Sequence, residues 1–203
     1  KLFRTNYFGC KKKHLSEIAK IFPPIKGKTK TVADIFSGTG SVGYFLKRMN
    51  YRVISNDILK YATLRAKVWI QNNRTVLTCE DINLLCSNNR NKKDYFERYY
   101  LKVFGQENCR FLDNWASNIN LLDDQMKQDI AIFIPIYCIS NHIKHPSVHW
   151  SPYKTISGEN DLLYTDLKKE VCEYALTGFK KLLYDNNQEN LVYNEDAVGL
   201  IGK

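Results

Sequence analysis

The first part of the chain changes between short apolar runs and amphipathic segments. Residues 31–36 form a β-branched, apolar run that predicts a strand, and residues 51–55 predict a second strand. Between them, a glycine-rich turn is followed by residues 42–49, whose apolar positions recur with helical spacing. The order strand, turn, helix, strand is typical of half of a doubly wound parallel sheet. Residues 1–79 are therefore predicted to be the first part of an α/β core.

Two further helices flank this unit. One covers residues 8–22 and ends at Pro23-Pro24, because proline cannot continue a helix. The other runs from residue 58 to about residue 72.

Beyond residue 80 the pattern becomes helical and rich in asparagine. Residues 80–187 are predicted to form a mostly helical insertion, although residues 129–140 fit either a buried strand or a helix kinked at Pro135. The asparagine clusters at residues 88–91 and 186–190 predict exposed loops. Residues 191–193 then predict a strand, so that residues 188–203 return to the core without completing it.

Composition and charge limit the classes of protein to which this chain can belong. The chain has 203 residues, a formal charge of +9 and a hydrophobic content of 44%, which excludes a disordered tail and favours a polyanionic partner. The first 60 residues contain 13 Lys and Arg against 3 Asp and Glu, so they carry the whole excess. No apolar run approaches the roughly 20 residues that cross a bilayer, and no signal peptide is visible. A cytoplasmic protein without membrane contact is expected, with its six cysteines reduced.

The turn after the first strand reads Gly38-x-Gly40-x-x-Gly43, and Asp57 follows the next strand. This spacing fits a dinucleotide site, in which the acid binds a ribose hydroxyl. Asp34, near the end of the first strand, would repel a pyrophosphate but would attract a cationic ligand. S-adenosylmethionine carries a sulfonium and an ammonium and has no phosphate. The residues therefore favour this methyl donor over a nicotinamide cofactor, which remains an alternative.

Three segments together resemble a known family: Asp34-Ile35-Phe36-Ser37-Gly38-Thr39-Gly40, Ser55-Asn56-Asp57, and upstream Asn6-Tyr7-Phe8-Gly9-Cys10-Lys11. They are similar to the Dam-like class of DNA adenine-N6 methyltransferases of restriction-modification systems. The resemblance implies a Rossmann-like S-adenosylmethionine-dependent methyltransferase fold with a doubly wound, mostly parallel sheet. It also implies that residues 80–187 are a target-recognition region.

The resemblance further implies a set of cofactor contacts. Asp34 would hold the ammonium end of S-adenosylmethionine, Asp57 its ribose and Asp196 its adenine amino group. The full set of implied cofactor-binding residues is Tyr7, Phe8, Gly9, Lys11, Asp34, Phe36, Ser37, Gly38, Thr39, Gly40, Asn56, Asp57, Asp196 and Ala197.

The sequence departs from the family at the catalytic motif. The family has Asp or Asn, two prolines and an aromatic residue, and this chain contains no such tetrad. No catalytic residue is assigned. We expect either an enzyme truncated before the motif or a catalytically inactive DNA-binding homologue.

Double-stranded DNA is the expected partner, with a cognate restriction endonuclease as a possible separate protein. Lys12, Lys13, Lys26, Lys28 and Lys30 would neutralise phosphates, or would simply form a solvated basic face. The series Cys138, His142, His145 and His149 does not match common zinc-ligand spacing, so no metal site is predicted.

Overall fold

A computed structural model describes residues 11–22, 25, 30–142 and 166–201. The chain divides into two compact units. The first consists of Lys1–Thr75 with Lys181–Lys203, and the second of Val76–Lys180. Predicted residues Tyr7, Phe8, Gly9, Lys26 and Lys28 lie outside the described part.

The first unit contains a parallel sheet of three strands in the order β1, β2, β3. Its described elements are a 3₁₀ turn at Lys11–His14, α1 (Leu15–Ile21), β1 (Thr31–Asp34), α2 (Ser41–Arg48), β2 (Arg52–Asn56), α3 (Lys60–Ala66) with a π-helical turn at Lys67–Gln71, β3 (Leu191–Tyr193) and α9 (Ala197–Ile201). Val32 pairs with Val53, and Ser55 pairs with Val192. The predicted strands and helices are therefore confirmed with small changes at their ends, and the fold is α/β.

Helix α2 packs closely against β2 and the π-helical turn. A Cβ atom added to Gly43 would lie 2.6 Å from Ile70 Cδ1 and 3.1 Å from Ser55 Oγ. This close approach buries Tyr44 on α2 and Trp69 in the π-helical turn, whose rings meet edge to face with centroids 6.3 Å apart. A side chain at the third glycine of the motif would therefore require Ile70 to shift.

Two asparagines of the cluster before β3 are buried, although an exposed loop was expected there. Asn186 and Asn190 are 5% and 3% exposed. Asn190 Oδ1 accepts the Val53 N–H at 2.9 Å, and Asn186 Nδ2 donates to the Tyr51 carbonyl at 2.8 Å. These side chains satisfy backbone groups at the start of β2, because buried peptide groups need partners. Residues 186–190 form the predicted loop, with Asn187 and Glu189 exposed, but the prediction of exposure was wrong for Asn186 and Asn190.

The second unit is helical in its described part. It contains α4 (Cys79–Cys86), α5 (Tyr95–Phe104), α6 (Gln106–Asn118) with a 3₁₀ turn at Ile119–Leu121, α7 (Gln125–His142), and α8 (Leu167–Glu173) with a π-helical turn at Tyr174–Gly178. Thr78 and Asp81 form a capping box that starts α4. The cysteines described here are free, although Cys86 Sγ and Cys172 Sγ lie 3.6 Å apart.

Residues 129–140, which fitted either a strand or a kinked helix, are helical throughout. Pro135 lies inside α7 and has no N–H to give to the carbonyl of Ala131, four residues earlier. The buried indole Nε1–H of Trp115 donates to that carbonyl at 2.8 Å. A side chain of α6 therefore replaces the hydrogen bond that the proline removes, and α7 continues past it.

None of the described helices is long and apolar enough to cross a membrane.

Lys47 on α2 gives the first unit a pH-dependent stability. Its side chain is fully buried, and Nζ donates to the carbonyls of Asn72 at 2.6 Å and Trp69 at 3.4 Å. Burial lowers the pKa of Lys47 from 10.5 to about 7, while Asp185 acts in the opposite direction. Between these two pKa values the unfolded chain binds more protons than the folded chain, so stability due to this residue rises with pH.

We expect Lys47→Met to stabilise the protein most at pH 6, relative to wild type. Between about pH 7 and pH 10 this advantage should shrink by up to about 1.4 kcal/mol per pH unit. The reason is that the free energy needed to deprotonate the buried wild-type amine decreases as the pH approaches its unfolded pKa of 10.5. Urea unfolding of both proteins at pH 6, 8 and 9.5 measures the difference. A difference independent of pH would show that Lys47 does not titrate in the fold.

Candidate functional site

The glycine-rich turn begins directly after β1. Gly38 and Gly40 have φ angles of 48° and 70°, a region that residues with a Cβ rarely adopt. The Gly40 N–H closes the turn on the Ser37 carbonyl at 2.7 Å, and α2 starts at the next residue. These two glycines are therefore required by the backbone path that leads from the strand into the helix.

The turn borders a cleft of about 250 Å³. The lining residues are Lys11, Asp34, Phe36, Ser37, Gly38, Thr39, Ser41 and Val42. Asp34 Oδ2 and Ser37 Oγ are buried, and neither has a hydrogen-bond partner among the residues that the structure describes. Buried polar atoms without partners are costly, so these two oxygens point to a polar ligand in the cleft.

The surroundings of the Asp34 carboxylate disfavour its negative charge. Burial raises the pKa of Asp34 above its ordinary value, and the negative charge of Asp57 raises it further. The peptide N–H groups of Gly43 and Phe36 act in the opposite direction. A cationic ligand would relieve both costs, since it would replace lost solvation and offset the nearby acid.

Asn56, at the end of β2, connects the loops that follow the other two strands. Its side chain is 1% exposed. Nδ2 donates to the carbonyls of Ile35 at 3.3 Å and Glu195 at 3.1 Å, and Oδ1 accepts the Glu195 N–H at 3.1 Å. What the structure shows for Asn56 is thus a positioning role, whereas its contact with a cofactor remains a prediction.

The Asp57 carboxylate accepts a hydrogen bond from the glycine-rich turn. Its Oδ2 accepts the Gly38 N–H at 2.7 Å, and its Oδ1 accepts the Leu59 N–H at 2.9 Å. Asn194 Nδ2 in turn donates to the Asp57 carbonyl at 2.7 Å. The carboxylate therefore orients the turn, and its binding of a ribose stays a prediction.

Asp196 and Ala197 lie at the start of α9. Asp196 is exposed, and its Oδ1 accepts the Val198 N–H at 2.9 Å. Neither residue is among those that line the cleft, and the same holds for Gly40, Asn56 and Asp57. Six predicted residues do meet there: Lys11, Asp34, Phe36, Ser37, Gly38 and Thr39.

Sequence reasoning missed three residues around the turn. Ser41 and Val42 line the cleft at the first turn of α2, and their position directly after the glycines was an available signal. Arg65 on α3 is buried, and its Nε donates to the Thr39 carbonyl at 3.3 Å. Nothing in the local sequence pattern around Arg65 indicated this contact, because it joins elements 26 residues apart.

The predicted phosphate-binding lysines that the structure describes are Lys12, Lys13 and Lys30, and all three are exposed. Among the described residues, no group of three or more His, Cys, Asp or Glu is arranged to hold a metal ion.

Comparison with known proteins identifies the family. The D12 class of N6 adenine-specific DNA methyltransferases matches residues 7–144 of the chain, which is more than half of its length. The chain belongs to this family. The resemblance inferred from Asp34–Gly40, the segment around Asp57 and the upstream element is thereby confirmed.

Two curated relatives are similar over nearly the whole chain. The type II methyltransferase M2.HphI of Haemophilus parahaemolyticus is 28% identical over 218 residues, which cover 98% of this chain and 61% of the relative. The modification methylase StsI of Streptococcus sanguinis is 25% identical over 214 residues, covering 97% of this chain and 31% of the relative. The chain thus spans about three fifths or less of the length of these relatives. No solved structure matches it significantly.

The linking role of Asn56 can be tested directly. Asn56→Leu should lower the free energy of unfolding by about 1–3 kcal/mol, because the peptide groups of Ile35 and Glu195 would be buried without a partner. Thr75→Val, which changes a polar side chain of similar size in the same unit, is the control. Urea unfolding at pH 8 measures both, and equal effects would contradict the role given to Asn56.

Proposed function

We propose that the whole protein is a site-specific DNA adenine-N6 methyltransferase of the modification type and that the cleft beside Asp34 binds S-adenosylmethionine. One observation carries the cofactor assignment: a buried carboxylate oxygen and a buried hydroxyl without described partners line the same cleft. Family membership supports methyl transfer over the nicotinamide alternative. Within this proposal the first unit is the cofactor-binding part of a Rossmann-like methyltransferase.

The residues of the cleft suit the amino-acid end of this ligand. The Asp34 carboxylate would accept hydrogen bonds from the ligand ammonium, and Ser37 Oγ would bond a second polar group. The start of α2 offers peptide N–H groups and the positive end of the helix dipole to the ligand carboxylate. Lys11 lines the same cleft and adds positive charge.

When bound, S-adenosylmethionine supplies an electrophilic methyl group on a sulfonium sulfur. The contribution of this chain is to bind and orient the donor: the turn held by Asp57 keeps the cleft in shape, and Asp34 favours a cationic ligand over a pyrophosphate. The ribose and adenine contacts of Asp57 and Asp196 belong to the same proposal. No residue of this chain is assigned to activation of the target amine, since the sequence contains no Asp/Asn-Pro-Pro-aromatic tetrad.

Double-stranded DNA is the proposed substrate, and the target base would leave the stack to reach the donor. The exposed Lys12, Lys13 and Lys30 fit contacts with phosphates. A separate restriction endonuclease as cognate partner and a cytoplasmic location also remain part of this proposal.

Replacement of Asp34 tests the cofactor site. Asp34→Asn should weaken binding of S-adenosylmethionine by about 10- to 100-fold, because a charge-assisted hydrogen bond to the ammonium is lost. Glu189→Gln is the matched control, since it removes one negative charge from an exposed position of the same unit. Calorimetry at pH 7.5 gives both affinities. Equal affinities for the two variants would remove Asp34 from the site, and tight nicotinamide binding without binding of the methyl donor would refute the cofactor assignment.

The raised pKa of Asp34 predicts a pH dependence. Protonation removes the charge that attracts the ammonium, so the wild-type affinity should fall as the solution is acidified from neutral pH, and this fall should begin at a higher pH than an ordinary Asp would cause. Asp34→Asn should show a flatter profile over the same range. Parallel profiles for the two proteins would contradict this prediction.

Methyl transfer is tested with the whole protein, because this chain contains no Asp/Asn-Pro-Pro-aromatic tetrad, on duplex DNA with labelled S-adenosylmethionine. Activity should appear as N6-methyladenine in the digested DNA and should decrease with Asp34→Asn as donor binding does. Binding of donor and DNA without transfer would instead favour the inactive homologue.

A further inference from the structure

Two cysteine side chains meet between α4 and α8 of the second unit. Cys86 is the final residue of α4, and Cys172 lies in α8, 86 positions later in the chain. Their Sγ atoms are 3.6 Å apart, and both residues are half-buried, so small reagents in solvent can reach the pair. The sulfurs of a disulfide are about 2.05 Å apart, so an approach of about 1.5 Å would join them.

Helix α6 holds both of the segments that carry these sulfurs. The buried side chain of Asn118 donates through Nδ2 to the Ser87 carbonyl at 2.9 Å, one residue after Cys86. Asn108, also on α6, accepts the N–H of Leu167 through Oδ1 at 3.3 Å, at the start of α8. Because one helix fixes both backbones, the contact between the two sulfurs is part of the packed unit.

The surroundings of the pair favour a thiolate on Cys86. A hydrogen bond from the Cys172 thiol lowers the pKa of Cys86 to about 7, although burial acts in the opposite direction, and the positive charge of Lys168 lowers it further. The pKa of Cys172 is raised, mainly because its proton is engaged in the same hydrogen bond. Since the thiolate is the nucleophile in thiol chemistry, Cys86 is the sulfur that would attack first.

The other described cysteines do not share this arrangement. Cys109 and Cys138 are buried, and burial raises the pKa of both thiols, that of Cys138 to about 12. Cys79, at the start of α4, is exposed. Among the described cysteines, Cys86 and Cys172 alone are in sulfur–sulfur contact. A role as small apolar core residues accounts for Cys109 and Cys138 but not for a half-buried pair.

We propose that Cys86 and Cys172 are an oxidation site, at which a small-molecule disulfide converts the two thiols into an intramolecular disulfide that joins α4 to α8. This inference goes beyond the proposed function and does not depend on it. In the first step, the Cys86 thiolate attacks one sulfur of the small disulfide, whose S–S bond breaks, and one small thiolate leaves with the electron pair. In the second step, Cys172 gives up its proton and attacks the Cys86 sulfur, so that the mixed disulfide breaks and the second small thiolate leaves. The two protein thiols lose two electrons and two protons, and the small disulfide becomes two thiols.

Peptide mapping of the whole protein tests this site. After incubation with oxidised glutathione at pH 7.5, alkylation of the remaining thiols and digestion without reductant, mass spectrometry should find the peptides of Cys86 and Cys172 joined. The midpoint of thermal unfolding should rise by about 10 °C, because a cross-link over a long loop restricts the unfolded chain, and it should return to its first value after reduction with dithiothreitol. Cys79→Ser is the matched control, since it removes an exposed thiol of the same helix and should behave as wild type.

Single substitutions at the pair report the order of the steps. Cys172→Ser should stop at the mixed disulfide, with one glutathione on Cys86 and no thermal stabilisation. Cys86→Ser should take up glutathione on Cys172 at least about tenfold more slowly, because the low-pKa thiol has been removed. Far-ultraviolet circular dichroism of each reduced variant checks the fold. The wild-type peptide map needs no substitution and decides the question even if a variant does not fold.

Three results would overturn the inference. They are a wild-type protein that stays reduced in oxidised glutathione, one that carries glutathione on Cys86 without joined peptides, and one in which other cysteines are joined as often as Cys86 and Cys172. None of these results bears on binding of S-adenosylmethionine, so the inference can fail while the proposed function stands.

Discussion

The carboxamide of Asn56 joins peptide groups that are far apart in the chain, because Ile35 follows β1 and Glu195 follows β3. Parallel strands place their carboxyl ends at one edge of a sheet, and in α/β proteins ligands bind there. In this chain the loops at that edge are held by one buried side chain together with Asp57, which fixes the Gly38 peptide. The shape of the cleft beside Asp34 depends on these hydrogen bonds.

Buried polar atoms in the first unit differ in whether the protein supplies their hydrogen-bond partners. Asn186 and Asn190 are fully engaged by backbone groups and therefore explain structure. Asp34 Oδ2, Ser37 Oγ, Ser55 Oγ and Asn73 Oδ1 are buried without a partner in the described structure, and of these residues Asp34 and Ser37 line the cleft. Since folding selects against such atoms, the meeting of two of them in one cleft supports the proposed binding site. Lys47 is a third case, because its hydrogen bonds offset only part of the cost of burying an amine.

In the helical unit, some aromatic residues are buried in the core and others are exposed at the surface. The indole N–H of buried Trp115 donates to the carbonyl in α7 that Pro135 leaves without a backbone donor. The tyrosines of α5 differ, since Tyr95 and Tyr99 are 53% and 62% exposed and their rings contact each other with centroids 5.1 Å apart. Composition could not separate these roles, because aromatic residues occur in both places. Their exposure, which only the folded chain defines, separates them.

The sequence by itself determined the local structure and the family. The apolar patterns correctly predicted the strands at residues 31–34, 52–56 and 191–193, because a strand can be recognised from the residue types of a few consecutive positions. The tight turn at Gly38 and Gly40 could also be predicted from the sequence, since a positive φ angle depends on the type of a single residue. Tertiary structure alone decided that Asn186 and Asn190 are buried, that residues 129–140 are helical past Pro135, and that Asp196 lies outside the residues lining the cleft. Each of these depends on partners distant in the chain, such as Val53 for Asn190, and such pairings arise only when the elements pack.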